Sequence, residues 1–401
     1  MLRGHNLEPM VTSAQLPADS PEVRRYNRIR RWLSAAEFLF ALIFLLVLLI
    51  TGWTGWLRDL AYRGAWQIYP LAVFLYVVIL LLVGKVLGLG LDFYGFRLEH
   101  RYHLSNQGLR GWVGDQVKSF IVSALLASLL AELFYFIMRQ FPQHWWLLAW
   151  VGFLAVAVLI AQLAPVVLFP IFYKFEPLQE QDLKSRLVRL GERAGTRVRG
   201  VYKWNLSEKS RKANAALTGL GATRRIILAD TLLANYSAEE IEAILAHELG
   251  HHVHKHIAKG IALEAAVTFV GFWAANWTLH LAIDRWHVYE TLSDFANLPL
   301  LVLIFVVLSF LLMPAVNAFS RYNERQADRY AFANISSVSP FISSMNKLAD
   351  QNLAERTPAR WVEWWFHSHP AIARRIAAAE GWAKANGENS RLEPGLSRTL
   401  G

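Results

Sequence analysis

The stretch HELGHHVHKH, residues 247–256, places five histidines and one glutamate in ten positions, directly before a long apolar run. Residues four apart on a helix lie about 40° apart around the axis and about 6 Å along it, so two imidazoles at that spacing can bind one ion. His247 and His251 have this spacing and enclose Glu248. This is the H-E-x-x-H pattern, in which two imidazoles bind zinc and the glutamate polarises a water molecule. The stretch therefore predicts a metal-binding helix.

The start of this helix is marked in the sequence. Ser237 and Glu240 have the spacing of a capping box, and we expect the helix to continue from there through His256. His252 and His256 also lie four residues apart, but no glutamate lies between them. We therefore predict that His252, His254 and His256 lie on a solvated face or behind the ligands.

The composition indicates a membrane protein without cysteine chemistry. Hydrophobic residues make up 54% of the chain and charged residues only 18%. Because the chain has no cysteine, it has no disulfide-linked partner, and any metal must be bound by His, Asp or Glu. The formal net charge of +10 is explained by basic loops beside a membrane, so no nucleic-acid partner is predicted.

Six apolar runs reach the length of about 20 residues that a bilayer-spanning helix needs. They are 33–53, 71–93, 119–138, 145–173, 257–283 and 298–320. Pro165 and Pro170 in the fourth run predict a kink. Basic residues concentrate before the first run, after the second and between the fourth and fifth. The positive-inside rule then predicts a multi-pass inner-membrane protein in a lipid bilayer, with both termini and the central region in the cytoplasm.

The domain organisation follows from these runs. A flexible basic segment (1–32) precedes four spans (33–173), a cytosolic α+β module (174–256) and two further spans (257–320). A cytosolic helical region (321–385) and a flexible tail (386–401) complete the chain. Within the module, 181–195 is predicted as a helix, and 198–204, 214–221 and 224–230 as strands of a small sheet.

A third metal ligand is predicted after the sixth span. A catalytic zinc takes three protein ligands and keeps one position open. Glu324 and Asp328 lie four apart in SRYNERQADRYAF, residues 320–332. The hairpin formed by the last two spans returns Glu324 close to His247 and His251, so Glu324 is the predicted ligand. Asp328 is predicted to orient a ligand histidine or to transfer protons, the alternative being an ordinary acidic pair.

Several motifs together resemble a known family. HELGH, KANAALTG (212–219), NERQADRYA (323–331) and SHPAIARRI (368–376) occur in the order seen in the type-1 CAAX prenyl endopeptidases, which are integral-membrane zinc metalloproteases. Related bacterial membrane quality-control metalloproteases belong to the same group. LEHRYHLSNQGL (98–109) and PVVLFPIFYKFEPL (165–178) are also similar. The resemblance covers most of the chain from the second span onward, but the eukaryotic members have an additional span.

The resemblance implies a polytopic helical membrane protein with a cytosolic α+β zinc-metalloprotease module of the gluzincin type. It implies one Zn²⁺ per chain, bound by His247, His251 and Glu324. Its catalytic glutamate corresponds to Glu248 and its motif aspartate to Asp328. It also implies that His369 and Arg375 lie near the cleaved peptide.

An edge strand is a candidate substrate-binding element. If Asn214, Ala215 and Ala216 form a sheet edge, an extended peptide can pair with their backbone, and the resemblance supports this. An internal, fully paired strand is the alternative.

The predicted function is a membrane-embedded zinc endopeptidase acting on peptide or membrane-protein substrates at the cytoplasmic face. Metal-activated water attacks the peptide, Glu248 accepts its proton, and His369 or Arg375 donates to the oxyanion. The alternatives are a transporter or channel with a regulatory zinc site, or a zinc protein without catalysis. The transporter alternative rests on polar residues inside the apolar runs. These are Glu37, Lys85, Glu132, Glu264 and His280.

Overall fold

Long apolar helices make up the larger part of the structure. The computed structural model describes residues 18–196, 198–219 and 224–387, so most of the two predicted flexible ends lies outside the described residues. The helices before the sheet are α1 (Pro21–Ile50), α2 (Trp53–Gly64), α3 (Tyr69–Arg101), α4 (Leu109–Gln140), α5 (Trp145–Leu163) and α6 (Phe169–Phe172). The later ones are α7 (Gln181–Arg193), α8 (Asp230–Asn235), α9 (Ala238–Val253), α10 (His256–His280), α11 (Leu298–Asn334), α12 (Ser339–Gln351), α13 (Arg360–Phe366) and α14 (Ile372–Ala385).

Six of the described helical segments are long and apolar enough to cross a membrane, which confirms the predicted number. They are α1, α3, α4, α5 with α6, α10 and α11. The fourth span, in which a kink is predicted, has an irregular helix at its two prolines. Pro165 lies in a π-helical turn, Ala164–Leu168, that joins α5 to α6. Pro170 lies in α6, directly after this turn, and has no N–H to donate to the preceding turn.

An apolar cavity of about 1060 Å³ lies between the spans. Phenylalanine, leucine and valine side chains form most of its wall, and Lys85 is its one charged residue. The Lys85 Nζ atom donates to Asp92 Oδ2 at 2.5 Å and to Gln116 Oε1 at 2.6 Å. Lys85, one of the polar residues inside the apolar runs, therefore faces this cavity and has polar partners there.

The segment before the first apolar run differs from its prediction. Residues 1–32 were expected to be flexible, but α1 begins at Pro21 and the side chain of Ser20 caps it. Proline is favoured at this position of a helix. The buried Asp19 accepts a hydrogen bond from the backbone N–H of Arg356 at 2.9 Å. The described part of the basic segment is thus helical and attached to the C-terminal region.

A four-stranded sheet starts the predicted α+β module. Its strands are β1 (Phe175–Pro177), β2 (Gly200–Trp204), β3 (Ala215–Thr218) and β4 (Arg225–Ala229), in the order β1-β2-β4-β3. β2 and β4 are parallel, and the other pairs are antiparallel. All three predicted strands are confirmed. Among the described strands β3 pairs only with β4, so it forms an edge of the sheet.

Helix α9 lies at the centre of the catalytic lobe, by which we mean β1–β4 with α7–α9, the end of α11 and α12–α14. The capping box is confirmed: Glu240 N–H donates to Ser237 Oγ at 3.3 Å, and Ser237 N–H donates to Glu240 Oε2 at 2.7 Å. Leu249 of α9 is fully buried with Ile226 of β4 and Phe341 of α12 in one apolar core. Burial of this face fixes the rotation of α9 and so the direction of its histidines.

The prediction of one continuous helix through His256 is wrong. Helix α9 ends at Val253, Lys255 adopts a left-handed conformation with φ of 55°, and α10 begins at His256. A left-handed residue other than glycine costs about 1–2 kcal/mol. The buried His256 next to it contacts His251 and Gln326, and these contacts offset the cost. The break lets the membrane helix α10 leave the lobe in a direction independent of α9.

Candidate metal and catalytic site

Helices α9 and α11 approach each other closely at Gly250. A Cβ atom on Gly250 would lie 2.8 Å from Ala327 Cα and 3.0 Å from Ala327 O. Such contacts are too short for any side chain, so glycine is required there. Gly250 lies between the two histidines of the HELGH motif, and Ala327 lies between Glu324 and Asp328. The glycine therefore brings the histidines of α9 within reach of the carboxylates of α11.

The three predicted ligand side chains are brought together. His247 Nε2 lies 3.2 Å from His251 Nε2 and 3.3 Å from Glu324 Oε2. His251 Nε2 lies 3.3 Å from Glu324 Oε1. One donor atom from each of the three residues fits within a span of 4.8 Å. His247 and Glu324 are buried and His251 is partly exposed, so the group is accessible from one side.

These donors fit a zinc ion. Ligand atoms bonded to tetrahedral zinc at about 2.1 Å stand roughly 3.4 Å apart, close to the observed separations. Glu324 Oε2 is buried without a hydrogen-bond partner, and a buried polar atom needs compensation. Burial and the Arg375 charge lower the pKa of His247, but its contacts with the Asp328 and Glu324 carboxylates outweigh them and raise it to about 9. The surroundings of His247 thus favour positive charge.

Asp328 lies directly behind His247. Its Oδ1 atom is 2.9 Å from His247 Nδ1. Arg375 of α14 donates to both carboxylate oxygens, from Nε to Oδ2 at 2.9 Å and from Nη2 to Oδ1 at 2.6 Å. A carboxylate that accepts from Nδ1–H leaves the Nε2 lone pair free for a metal. This geometry corresponds to the predicted orientation of a ligand histidine by Asp328.

A second supporting contact lies behind His251 and corresponds to one of the two positions predicted for His256. His256 Nδ1 lies 3.0 Å from His251 Nδ1, and its Nε2 lies 2.9 Å from Gln326 Oε1. His256 is buried and so is not on a solvated face. On the expected continuous helix His256 stands five residues from His251, a spacing that does not place two side chains together. The break at Lys255 produces the contact, and no local sequence signal marks it.

Glu248 and His369 border the group of donors on its accessible side. Burial raises the pKa of the half-buried Glu248 carboxyl, although the two neighbouring histidines lower it. His369 Nε2 lies 3.3 Å from Glu324 Oε1, and 60% of its side chain is exposed. Partial desolvation and the Arg375 charge lower the pKa of His369, and the nearby Glu324 carboxylate only partly opposes this shift. A carboxyl group and an imidazole therefore lie close to the three donor side chains.

The edge strand β3 packs beside α9. Its register pairs Ala216 with Ile227, and Ala229 N–H donates to Asn214 O at 3.0 Å. Because hydrogen-bonded and non-bonded residues alternate in an antiparallel pair, Asn214 and Ala216 direct their backbone groups to β4. Ala215 and Leu217 direct theirs to the open edge. Of the three predicted substrate-binding residues, only Ala215 thus has its backbone groups on the open edge, while Asn214 is exposed.

Apolar spans joined to a His-His-Glu donor set define a membrane-embedded metalloendopeptidase. Residues 177–383 match the model of peptidase family M48, and residues 11–174 match that of the CAAX prenyl protease N-terminal region, which is described as five membrane helices. The chain belongs to peptidase family M48. Within the described part of 11–174, four helical segments have spanning length and α2 is shorter.

Named relatives agree with this assignment. The chain is 35% identical over 309 residues to an uncharacterized metalloprotease, YhfN, of Bacillus subtilis, covering 76% of this chain and 72% of the relative. It is 27% identical over 321 residues to CAAX prenyl protease 1 of Saccharomyces cerevisiae, covering 74% and 70%. The crystal structure of S. mikatae Ste24p has the same fold, with a TM-score of 0.79, 24% identity and coverage of 89% and 87%. The transporter or channel alternative receives no support.

We expect Gly250→Ala to impair the metal site. The added methyl group must push α11 away from α9 and so separate Glu324 from His247 and His251. Overpacking of this kind costs about 1–3 kcal/mol of stability. Metal affinity, measured by competition with a chromogenic chelator, should fall by at least about tenfold. Gly260→Ala is the matched control, since a Cβ there meets open space, and an equal affinity of both variants would contradict the close-packing account.

Proposed function

We propose that the chain is a zinc-dependent endopeptidase with one Zn²⁺ bound by His247, His251 and Glu324. The observation that carries this proposal is the convergence of these three donors, with an unpartnered buried Glu324 oxygen, beside the half-buried Glu248. When bound, zinc supplies Lewis acidity and lowers the pKa of its water from about 15.7 to about 7. Without cysteine in the chain, the remaining donor types are imidazole and carboxylate, which suit zinc.

Glu248 is proposed as the general base. It follows His247 on α9, about 100° further round the helix, so it flanks the donors rather than joining them. It accepts the proton of the attacking water and delivers it to the leaving amine. Burial raises the pKa of Glu248, which makes its carboxylate a stronger acceptor for the proton of the water.

Asp328 and Arg375 are proposed as positioning residues. Asp328 accepts from His247 Nδ1–H, and Arg375 holds both oxygens of Asp328 in place. The donors of Arg375 are therefore directed to Asp328. His369 is exposed beside Glu324 and is the better oxyanion donor of the two residues considered.

The proposed substrates are peptide segments of membrane-associated proteins, bound in extended form beside β3. Ala215 and Leu217 offer edge N–H and C=O groups that can pair with a peptide backbone. Backbone pairing tolerates many peptide sequences, so other surfaces must provide specificity. The yeast relative is named a CAAX prenyl protease, and a prenylated C-terminal peptide is accordingly the first substrate to test.

We expect Glu248→Gln to abolish peptide cleavage while zinc content stays close to one per chain. Glutamine is isosteric but cannot accept the proton. Glu324→Ala should lose both zinc and cleavage, because it removes a ligand. The measurements are metal analysis of the purified protein and proteomic comparison of membranes with wild type and Glu248→Gln. Full zinc content and cleavage in Glu324→Ala would show that Glu324 is not a ligand.

Proline substitution tests the edge strand. Ala215→Pro removes an outward N–H and should raise KM for a peptide substrate several-fold, with little change in thermal stability. Ala216→Pro is the matched control, because its N–H belongs to the ladder with β4 and its loss should lower stability instead. Unchanged KM in Ala215→Pro would exclude pairing of substrate at this edge.

The proposed orientation places the catalytic lobe in the cytoplasm and the α10–α11 connection on the opposite side of the inner membrane. The cysteine-free chain allows a clean test with Ser185→Cys on α7 and Glu290→Cys in that connection, both exposed positions. In intact cells whose outer membrane has been made permeable, a membrane-impermeant maleimide should label only Glu290→Cys. Labelling of Ser185→Cys alone would reverse the orientation.

A further inference from the structure

A cavity of about 480 Å³ lies between the end of α11, α13 and α14, and its wall is rich in arginine. Six arginines and two carboxylates line it. The arginines are Arg321, Arg325, Arg329, Arg360, Arg374 and Arg375, and the carboxylates are Asp328 and Glu363. We call this cavity the arginine pocket. Its positive charges thus exceed its negative charges.

Half of these arginines already have partners. Arg321 donates to the backbone oxygens of Glu363 at 2.9 Å and His367 at 2.6 Å, which ties α11 to the end of α13. Arg375 is held by Asp328, and Arg374 forms an ion pair with Glu363. Both carboxylates of the pocket are therefore occupied.

The other three arginines, Arg325, Arg329 and Arg360, are exposed. Within the described residues they form no ion pair or hydrogen bond. Burial, together with the charges of Arg321, Arg360 and Arg325, lowers the pKa of Arg374. The positively charged guanidinium groups of α11, α13 and α14 thus lie close enough to repel one another across the pocket. Such a cluster is stabilised by an anion that accepts from several of them at once.

The position of α13 places the pocket at the membrane surface. Trp365 of α13 contacts Phe310 in the apolar part of α11, with ring centroids 5.2 Å apart. Trp361, Trp364 and Phe366 of the same helix are exposed. Trp residues concentrate at the boundary between lipid headgroups and hydrocarbon. Trp364 also lines the pocket, so the aromatic surface and the arginines are continuous.

We propose that the arginine pocket binds a phosphate group, and that the headgroup of an anionic phospholipid supplies it. A phosphate offers several oxygens to guanidinium groups, which bind it in a forked geometry that lysine does not provide. The aromatic residues of α13 favour a lipid source, because they border the pocket where headgroups lie. Free inorganic phosphate has the same binding chemistry and is the other source to examine.

The test uses the full-length protein in neutral detergent. Arg325→Gln with Arg360→Gln removes two unpaired charges from the pocket. Arg97→Gln with Arg110→Gln is the charge-matched control, because these arginines are exposed at the adjoining ends of α3 and α4. Each protein is titrated with mixed micelles containing dioleoyl phosphatidylglycerol or dioleoyl phosphatidylcholine. Native mass spectrometry counts retained lipid, and thermal denaturation gives an apparent affinity. A parallel titration compares sodium phosphate with sodium chloride at equal ionic strength.

We expect phosphatidylglycerol, but not phosphatidylcholine, to bind the wild type and the control saturably. The pocket variant should bind it at least about tenfold more weakly, since each basic residue at a membrane surface contributes on the order of fivefold. Arg325→Lys with Arg360→Lys keeps the charge but loses the forked geometry, so it should bind phosphatidylglycerol more weakly than the wild type and more tightly than the glutamine variant. Zinc content checks that all variants are folded.

Protection by inorganic phosphate alone, lost in the pocket variant, would keep the phosphate site and replace the lipid by free phosphate as its source. Equal binding of either probe to the pocket variant and the control would overturn the proposal, because the effect would then be one of overall charge.

Discussion

Two buried carboxylates one helical turn apart are the constraint on which the catalytic lobe depends. Glu324 and Asp328 are almost fully removed from water on the face of α11 that contacts α9. Burying one unpaired carboxylate costs several kcal/mol, so each requires positive or hydrogen-bonding partners supplied by other elements. Arg375 of α14 and the histidines of α9 provide them. The demand for charge compensation thus holds three helices in one arrangement, and Gly250 permits the backbone contact that this arrangement requires.

The membrane hairpin of α10 and α11 explains how the site forms from distant sequence. Helix α11 continues from the bilayer into the lobe without a break, whereas α9 and α10 are separated at Lys255. The carboxylates are consequently on a helix anchored in the membrane, and the histidines are on a helix anchored in the soluble core. The site is located where these two parts meet.

Much of this could be predicted from the sequence, because the signals were local. The length of the apolar runs predicted the spans, and Ser237 with Glu240 predicted the start of α9. The HELGH and NERQADRYA motifs predicted the three donor side chains. The break at Lys255 and the attachment of α1 to the C-terminal region could not be predicted, and the position of His256 behind a ligand histidine was predicted only as one of two alternatives. Each depends on tertiary contacts that compensate a local cost. The register of β3, which decides whether Ala215 or Ala216 is available, likewise depends on its pairing with β4.

The shortness of β3 limits how tightly any peptide can be held. Within its four residues, only Ala215 and Leu217 direct backbone groups outward, and each hydrogen bond contributes about 0.5–1.5 kcal/mol net. After the entropic cost of association, contacts of this number correspond to dissociation constants no tighter than about millimolar. A substrate confined to the same bilayer reaches millimolar effective concentrations without additional contacts. In the proposed binding mode, confinement to the bilayer therefore decides occupancy: a membrane-attached peptide fills the edge to a substantial fraction, whereas the same peptide dilute in solution leaves it mostly empty.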